Sequence, residues 1–437
     1  QYNLPLNPDA FPKFRWIVTG HLRAETPFFF GRGEIKDRTI EEETEQTSKT
    51  ILLNKDNFFR LPRSVIRGAL RRDLRLVIGN GCNTPVGGKF CECDVCRIMR
   101  HVVVEDTISS CRKPPEIRYN IRLNGHTRTV EEGALFDTET GYQGMRFPFR
   151  LCFETRASEF DPDTSEPIPK FDPYLSEVMK HWKAGQAVFG GDTGAGFGRF
   201  RLEGDIRFFS MDVAKKEEYD PYLLARGFKG MSSQEILEKI GSGRTYDWNS
   251  VPKIALNIPP NKLPWKEICY TIEVISPLIS RDPIRAMMDP RNTDTIMIRK
   301  RVFVPDGKGG TLPEPESRYF IKSETLRGIL RSLVGGNKTA DGEYLCDLDH
   351  EDCDCVQCRL FGSIHQQGCL RFEDAEVWNS VRDKKMDHVA IDRFTGGALD
   401  QMKFDDYPLL GCPEYPVILG GRFWIRDDIS DKEKEIA

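Results

Sequence analysis

The sequence contains two copies of one pattern. The matched stretches are 25–28 with 275–278, 67–71 with 327–331, 93–96 with 355–358, and 104–106 with 372–374. Their order is the same in both copies, and their offsets drift only from about 250 to about 268 residues. Self-similarity of this kind indicates repeated structural units. We therefore expect two related modules in tandem rather than one continuous core.

The duplication divides the chain into three parts. We expect a first module over residues 1–204, a connector over 205–262 and a second module over 263–437. The first module closes with a glycine-rich stretch at 190–198, and the same offset would place its twin beyond Ala437. The second module is therefore predicted to be incomplete. Either another chain completes it or the sequence belongs to a longer polypeptide.

Each copy has the pattern of an α+β fold. Alternating apolar residues predict strands at 14–22, 147–153, 271–275 and 296–303, and helices are predicted at 64–78, 323–334 and, in the connector, 233–240. Ser64 and Ser323 are suitable N-caps for the first two helices. A strand–helix–strand–strand order with long insertions favours two tandem ferredoxin-like modules, a core that many RRM-like RNA-binding domains share.

The 13 cysteines indicate metal sites rather than disulfides. Eight of them fall in two tight clusters, and the total is odd. The sequence shows no signal-peptide pattern and no run approaching the ~18 apolar residues of a membrane helix. Clustered cysteines in such a chain are typical of a reducing compartment, so we expect a cytoplasmic protein.

Each cluster is predicted to hold one structural Zn²⁺ in an insertion, at about residues 80–100 and about 344–362. The first ligand set is Cys82, Cys91, Cys93 and Cys96; the second is Cys353, Cys355 and Cys358 with either His350 or Cys346. His350 is favoured because it keeps the loop compact. Four soft ligands suit tetrahedral zinc and leave no open position for catalysis.

Arginines recur at helical spacing. The candidate nucleic-acid contacts are Arg63, Arg67 and Arg71 on the first helix, Arg327 and Arg331 on the second, and Arg118 and Arg122 in a basic segment at 112–128. Positive stripes engage phosphates, and the interleaved Tyr119 and His126 suit single-stranded nucleic acid. The net charge of −4 means that any such role must be local. A solvated protein face is the alternative.

Several motifs together resemble the RAMP backbone subunits of type III CRISPR effectors. They are the stretch 67–71, the cysteine clusters, Phe361-Gly362, the RFEDA stretch at 371–375, the segment 388–398 and the glycine loop at 190–198. The resemblance covers nearly the whole chain apart from the connector. Zinc insertions in consecutive repeats of one chain are most similar to two middle repeats of the single-chain type III-E effector (giant RAMP).

The resemblance implies an antiviral nuclease that binds a CRISPR guide RNA and cleaves complementary single-stranded target RNA. Each repeat would carry a β-hairpin thumb that wedges between guide and target, at about 117–136 and 391–410, with Arg393 beside the RNA. Neighbouring RAMP repeats of the same effector and a CHAT-type protease are further implied partners. Guide pairing would supply sequence specificity, while the protein reads the shape of the backbone.

In that family, an aspartate in the loop after the first strand of a repeat cuts the target with a divalent metal such as Mg²⁺. The candidates are Asp37 in the first copy and Asp282 in the second, with Asp294 as the alternative to Asp282 and Asp289 in the same region. Asp106, after a strand end, and Asp392, in the second thumb, are candidate helpers. Asp392 is as well suited to bracing the base of the thumb.

Two other classes of function compete with a guided nuclease. One is a scaffold that grips guide RNA without cutting, and the other is a zinc-ribbon protein that binds duplex DNA. No Ser-His-Asp or Cys-His pattern stands out among the 7 histidines, and the phosphate-loop pattern G-x-x-x-x-G-K-[ST] does not occur. Protease and nucleotide-hydrolysis functions are therefore disfavoured.

Overall fold

The structure is a computed structural model that describes most of the chain. The described residues are 12–36, 48–79, 91, 93–123, 130–161, 163–241, 245–248, 265–288, 293–307, 310–314, 317–335, 353, 355–363, 367–379 and 384–426. Strands and helices are mixed along both halves, which confirms the predicted α+β class. Among these residues, no helix combines the length and apolarity needed to cross a membrane.

The elements follow one another in chain order. The first half contains β1 (Phe14–Ala24), β2 (Gly31–Lys36), β3 (Ser48–Ile51), β4 (Arg60–Leu61), α1 (Arg63–Ile78), α2 (Asp94–His101), β5 (Val102–Val104), β6 (Thr107–Ile108), β7 (Glu116–Leu123), β8 (Val130–Thr140), β9 (Arg146–Thr155), β10 (Ser158–Phe160), β11 (Pro167–Pro169), α3 (Pro173–Lys183), β12 (Ala187–Val188) and β13 (Arg199–Asp212).

The second half begins with the connector elements. They are α4 (Lys216–Leu224), α5 (Ser233–Ile240) and β14 (Thr245–Asp247), followed by β15 (Trp265–Val274), α6 (Pro283–Met288), β16 (Thr295–Ile296), β17 (Arg299–Lys300), β18 (Phe303–Pro305), β19 (Thr311–Pro313), β20 (Arg318–Ile321), α7 (Ser323–Gly335), α8 (Val356–Phe361), β21 (Leu370–Phe372), β22 (Ala375–Val377), β23 (Met386–Ile391), β24 (Ala398–Tyr407) and β25 (Val417–Arg426).

The first module is built on an antiparallel sheet with the strand order β13-β1-β9-β5. In chain order its main elements read β1, α1, β5, β9, α3 and β13. This strand–helix–strand–strand–helix–strand path, with the last strand beside the first, is the ferredoxin-like arrangement. The hairpin, the cysteine insertion and the glycine loop all enter as excursions from this core, so the sheet fixes their positions.

Alternation along β1 explains how the sheet is covered on both sides. Trp16, Val18 and Leu22 are fully buried in a cluster that includes α1 residues such as Leu70. Each such side chain contributes about 2 kcal/mol relative to an exposed position. Ile17 points to the opposite face, where a separate apolar cluster includes connector residues such as Ile236. The connector therefore packs against the back of the first sheet.

The second module repeats half of this plan. Its sheet contains β15 beside β25, with β21 and β22 both paired to β25; β15, β25 and β21 correspond to β1, β9 and β5 of the first module. The described residues of this module end at Arg426, the last residue of β25. The predicted strand at 296–303 is instead divided into β16, β17 and the start of β18, because these stretches pair with three different strands.

A β-hairpin projects from each module. The first, β7–β8, joins β2 and β3 in a four-stranded sheet, close to the predicted thumb at 117–136. The second, β23–β24, pairs with β16 and begins at Met386 rather than at the predicted residue 391. Ile391 is the last residue of β23, because the turn comes directly after it: Asp392 N–H donates to Gly397 O at 2.9 Å.

Candidate nucleic-acid interface and metal centres

Three cysteines of the first insertion converge at the start of α2. The sulfur atoms of Cys91, Cys93 and Cys96 all lie within 4.8 Å of one another. Cys93 is the N-cap residue of α2, and its Sγ accepts the backbone N–H of Cys96 at 3.4 Å. The sulfur of Cys93 therefore lies at the amino end of α2, beside the other two.

The second insertion repeats the arrangement. Cys353, Cys355 and Cys358 have sulfur atoms within 4.8 Å of one another, and Cys355 Sγ accepts Cys358 N–H at 3.4 Å. Sulfur ligands ~2.3 Å from a tetrahedral zinc ion lie roughly 3.8 Å apart, so both triads fit such an ion. Further predicted ligands lie outside the described residues: Cys82, and His350 or its alternative Cys346.

Arginines at matching positions hold the two insertion helices. The guanidinium of Arg67 donates to Met99 O and, at 2.6 Å, to Val102 O at the carboxyl end of α2. Arg327 donates in the same way to Phe361 O at the end of α8. The last carbonyls of a helix are unsatisfied and carry partial negative charge, so a guanidinium suits them.

The second arginine of each stripe also contacts the insertion. Arg71 donates to Cys96 Sγ at 3.5 Å, and Arg331 donates to Gly362 O at 2.7 Å. Of the stripe on α1, Arg63 alone has an exposed side chain. Spacing placed these arginines on one helix face, but it could not tell whether phosphate or protein lies against that face. Phosphate binding by the two stripes stays a prediction.

A carboxylate from the neighbouring strand region lies at the start of each first helix. Asp106 Oδ1 accepts Arg63 N–H at 2.7 Å, and Asp374 Oδ1 accepts Ser323 N–H at 3.0 Å. The predicted N-cap roles of Ser64 and Ser323 are therefore wrong. Position Pro62 precedes α1 without a side-chain cap, and Ser323 is itself the first residue of α7. The aspartates supply the acceptor that an N-cap side chain normally provides.

Asp106, predicted as a catalytic helper, thus has a structural contact. Burial raises the pKa of its carboxyl, but the Arg63 amide and the Arg60 guanidinium lower it, and the net pKa lies below the usual value. Replacing Asp106 with alanine should destabilise the first module by about 1 kcal/mol, the usual cost of a lost helix cap. Urea unfolding measures this difference.

The pH dependence of the Asp106 substitution follows from the lowered pKa. The ionised carboxylate stabilises the fold above the unfolded-state pKa near ~4 and loses this effect as the pH falls through the lower folded-state pKa. The difference in unfolding free energy between wild type and Asp106→Ala should therefore shrink below that pH. A difference that grew on acidification would contradict the capping role.

The seam between the two modules is defined here as the contact of β7 and residues 192–199 with α7 and residues 371–374. At its centre, Asp374 accepts from Arg118 at 2.8 and 3.1 Å and from Lys300 at 3.2 Å. All three residues are buried. Burial raises the pKa of Asp374, but the charges of Arg118 and Lys300 lower it by more than burial raises it. The net pKa therefore lies below its usual range.

Arg118 was predicted to bind RNA, but in this structure its side chain is buried against the second module. Sequence reasoning also missed Asp374, Lys300 and Glu373. A signal was present for the acidic pair: the Glu-Asp dipeptide at 105–106 recurs at 373–374. Its recurrence indicated a shared role for the aspartates, which is the contact at the start of each first helix.

The glycine loop of the first module sits directly on the second. Gly196 has a φ of 83°, and a Cβ built on it would lie 1.6 Å from Phe372 O, so a side chain there is excluded. Ser323 Oγ donates to Ala195 O at 2.5 Å, and Arg199 Nε donates to Glu373 Oε1 at 2.6 Å. The loop is therefore part of the seam.

The candidate acids differ in their surroundings. Asp37 and Asp289 lie outside the described residues. Asp294 and Asp405 exchange hydrogen bonds, with Asp294 Oδ2 accepting Asp405 N–H at 2.8 Å and Asp405 Oδ1 accepting Asp294 N–H at 3.0 Å. Asp392 lies in the hairpin turn and accepts Phe394 N–H at 2.7 Å. Asp294 and Asp392 therefore both have local structural contacts.

Asp282 lies between β15 and α6. Its backbone N–H donates to Ile296 O at 3.1 Å, and its carbonyl accepts Ala286 N–H of α6 at 3.1 Å. Lys322 connects this region to β7, because its Nζ donates to Tyr119 O at 2.6 Å. Burial lowers the pKa of Lys322, and the nearby Asp282 carboxylate acts in the opposite direction. Lys322 is therefore linked to the first hairpin by a hydrogen bond and to Asp282 by charge.

The second hairpin ends in an exposed aromatic tip. The side chain of Phe394 is 99% exposed, and the neighbouring Arg393 is also exposed. Arg122 belongs to β7, but its side chain lies outside the described residues. An apolar ring beside a cation at a hairpin tip is suited to stacking on bases and contacting phosphates.

These features define a class: tandem ferredoxin-like modules, each with a projecting hairpin and a cysteine-clustered insertion. The family model of the RAMP superfamily matches the chain over residues 21–201 and 271–435. The chain belongs to the RAMP superfamily. This membership indicates a CRISPR-associated role in binding CRISPR RNA and other RAMP subunits. No curated protein matches the chain.

Proposed function

We propose that the chain is part of a CRISPR RNA-guided effector that binds guide RNA and cleaves complementary single-stranded target RNA. The observation that carries the proposal is Lys322, which donates to Tyr119 O of the first hairpin and whose charge is influenced by the Asp282 carboxylate. A hairpin wedged into a guide–target duplex would present an unstacked target linkage to the loop of Asp282. Two successive modules with cysteine insertions on one chain also support the single-chain type III-E architecture.

The chemistry that we propose uses the loop carboxylates. Asp282 would accept the proton of an RNA 2′-hydroxyl as that oxygen attacks the adjacent phosphorus; the bond to the 5′-oxygen breaks, and the leaving oxygen takes a proton from water. Asp37 would do the same in the first module. These aspartates would also hold Mg²⁺, which stabilises charge on the phosphoryl oxygens when it is bound.

The test is RNA cleavage by single variants. Asp37→Ala and Asp282→Ala should each slow one cut by roughly 10²-fold or more while guide binding is retained. The measurement is a gel assay of a labelled complementary RNA with the guide-loaded chain. Asp294→Ala is the matched control, because Asp294 bonds to Asp405 N–H. Full cutting by both main variants would rule out these residues, and loss of a cut in Asp294→Ala alone would transfer the role to Asp294.

A non-cutting guide-RNA scaffold is the second candidate. The structural contacts of Asp106, Asp294 and Asp392 favour it, because they leave fewer carboxylates for catalysis. In either case we propose Arg63 and Arg393 as RNA contacts, since both are exposed. An RNA that is bound but not cut by wild type would support the scaffold.

Tighter filter binding of duplex DNA than of guide-paired RNA would instead support the zinc-ribbon alternative. A CHAT-type protease is a further proposed partner.

A further inference from the structure

Arg327 lies between the second cysteine insertion and the first module. On one side its guanidinium donates to Phe361 O at the end of α8. On the other, a Cβ built on Gly194 of the glycine loop would lie 4.0 Å from its Nε, and the carboxylate of Asp192 acts on its charge. One turn earlier in α7, Ser323 donates to the same loop at Ala195 O. A single helix face therefore contacts both the insertion and the seam.

We propose that the second metal cluster positions the seam between the modules. Metal bound by Cys353, Cys355 and Cys358 holds α8 in place, and the carbonyl end of α8 fixes Arg327. Arg327 and Ser323 then hold α7 against the glycine loop of the first module. Arg327 is a positioning residue in this arrangement. The proposal rests on the metal assignment and is independent of RNA cleavage.

Because α8 is short, its position depends on what holds its two ends. The helix spans only Val356–Phe361, and a segment of six residues is unstable as an isolated helix. Leu360 and Phe361 pack the carboxyl end of the helix in an apolar cluster, and a structural metal bound by its N-terminal cysteines would hold the other end, since metal binding and local folding are coupled. If α8 unfolds, Phe361 O no longer accepts from Arg327, whose buried Nε has no hydrogen-bond partner among the described residues. Partial burial of the Arg327 guanidinium then has a free-energy cost, because a buried donor has lost its acceptor.

The first module supplies an internal control. Arg67 makes the equivalent contact with Met99 O, and the start of α1 contacts Asp106 of its own module, whereas Ser323 at the start of α7 also donates to Ala195 O of the other module. Loss of the first metal should therefore loosen the first insertion without opening the seam. Both triads consist of three cysteine sulfurs. A difference in amide exchange between variants of the first and second clusters therefore reflects where each cluster lies in the fold.

The experiment is hydrogen exchange of the purified full chain, without RNA. Cys358→Ser and Arg327→Met should each speed exchange of the amides at 195–198 by roughly tenfold, the factor expected when a charge-assisted hydrogen bond is lost. These amides are protected by bonds such as Gly198 N–H to Pro27 O at 2.8 Å. Cys96→Ser and Arg67→Met should leave that exchange within about twofold of wild type.

Two further measurements and two contrary outcomes decide the proposal. Stripping the wild type with a zinc chelator should reproduce the effect of Cys358→Ser, and Arg327→Lys should restore part of the protection because it keeps one donor. Unchanged exchange at 195–198 after release of the second zinc ion would overturn the proposal. Equal acceleration by all four variants would also overturn it, because the effect would then reflect general loss of stability.

Discussion

Replacing Asp374 with alanine is expected to lower the free energy of unfolding by roughly 3–5 kcal/mol, the cost of breaking a buried ion pair from one side. The substitution leaves Arg118 and Lys300 buried without their shared carboxylate, and it removes the acceptor for Ser323 N–H. Equilibrium denaturation in urea, followed by tryptophan fluorescence, measures the change.

Two comparisons make the Asp374 prediction specific. The equivalent Asp106→Ala should cost far less, because Asp106 is 38% exposed and caps a helix without buried cationic partners. The double variant Arg118→Met with Asp374→Leu should recover part of the loss, since no charge of that pair then remains buried. Equal effects of Asp374→Ala and Asp106→Ala would contradict the assignment of Asp374 as the centre of the seam.

Removal of a cysteine ligand is the second large effect. We expect the wild-type chain to hold one zinc ion in each cluster, and Cys96→Ser and Cys358→Ser each to lose one of the two ions. Apparent binding free energies on the order of 10 kcal/mol in zinc-finger peptides indicate that the affected insertion would unfold. Metal analysis after gel filtration gives the stoichiometry, and Cys412→Ser, outside both clusters, should retain both ions.

The same measurement settles the fourth ligand of the second cluster. His350→Ala and Cys346→Ser should differ in zinc content, because one of them removes the fourth ligand and the other leaves all four ligands in place. We expect the histidine variant to lose the second ion, in line with the compact loop that His350 allows. Loss of metal in the cysteine variant alone would assign Cys346 instead. Wild-type protein without zinc would refute the metal assignment of both clusters.

Much of the fold could be predicted because its signals are local or repeated. The recurrence of 67–71 at 327–331 identified two modules, and apolar periodicity located β1, β9 and α1 within a few residues. The prediction of one strand at 296–303 is wrong. The apolar alternation there is that of a single strand, but tertiary contacts pair its parts with three different strands. Pairing partners that are distant in sequence leave no trace in a single strand's pattern.

The candidate site was predictable in residue type more than in role. Cysteine spacing identified the triads that the structure brings together, because close sulfur ligands must be close in sequence when they share one turn. Charge patterning was less informative for Arg67, Arg118 and Arg327, which contact carbonyls or a buried carboxylate. A basic side chain is equally suited to a phosphate, a carboxylate and a helix end, so composition cannot choose among them.

The glycine loop that rests on Phe372 has a consequence for higher assembly. The surface around Gly196 in one module and the surface around Ser323 in the next are different, so this is a head-to-tail contact. Repeating such a contact applies the same rotation and translation at every step, which generates an open screw whenever the rotation does not close into a ring. Along that screw the hairpins would recur at a constant rise, and any cuts they direct would be evenly spaced on the target.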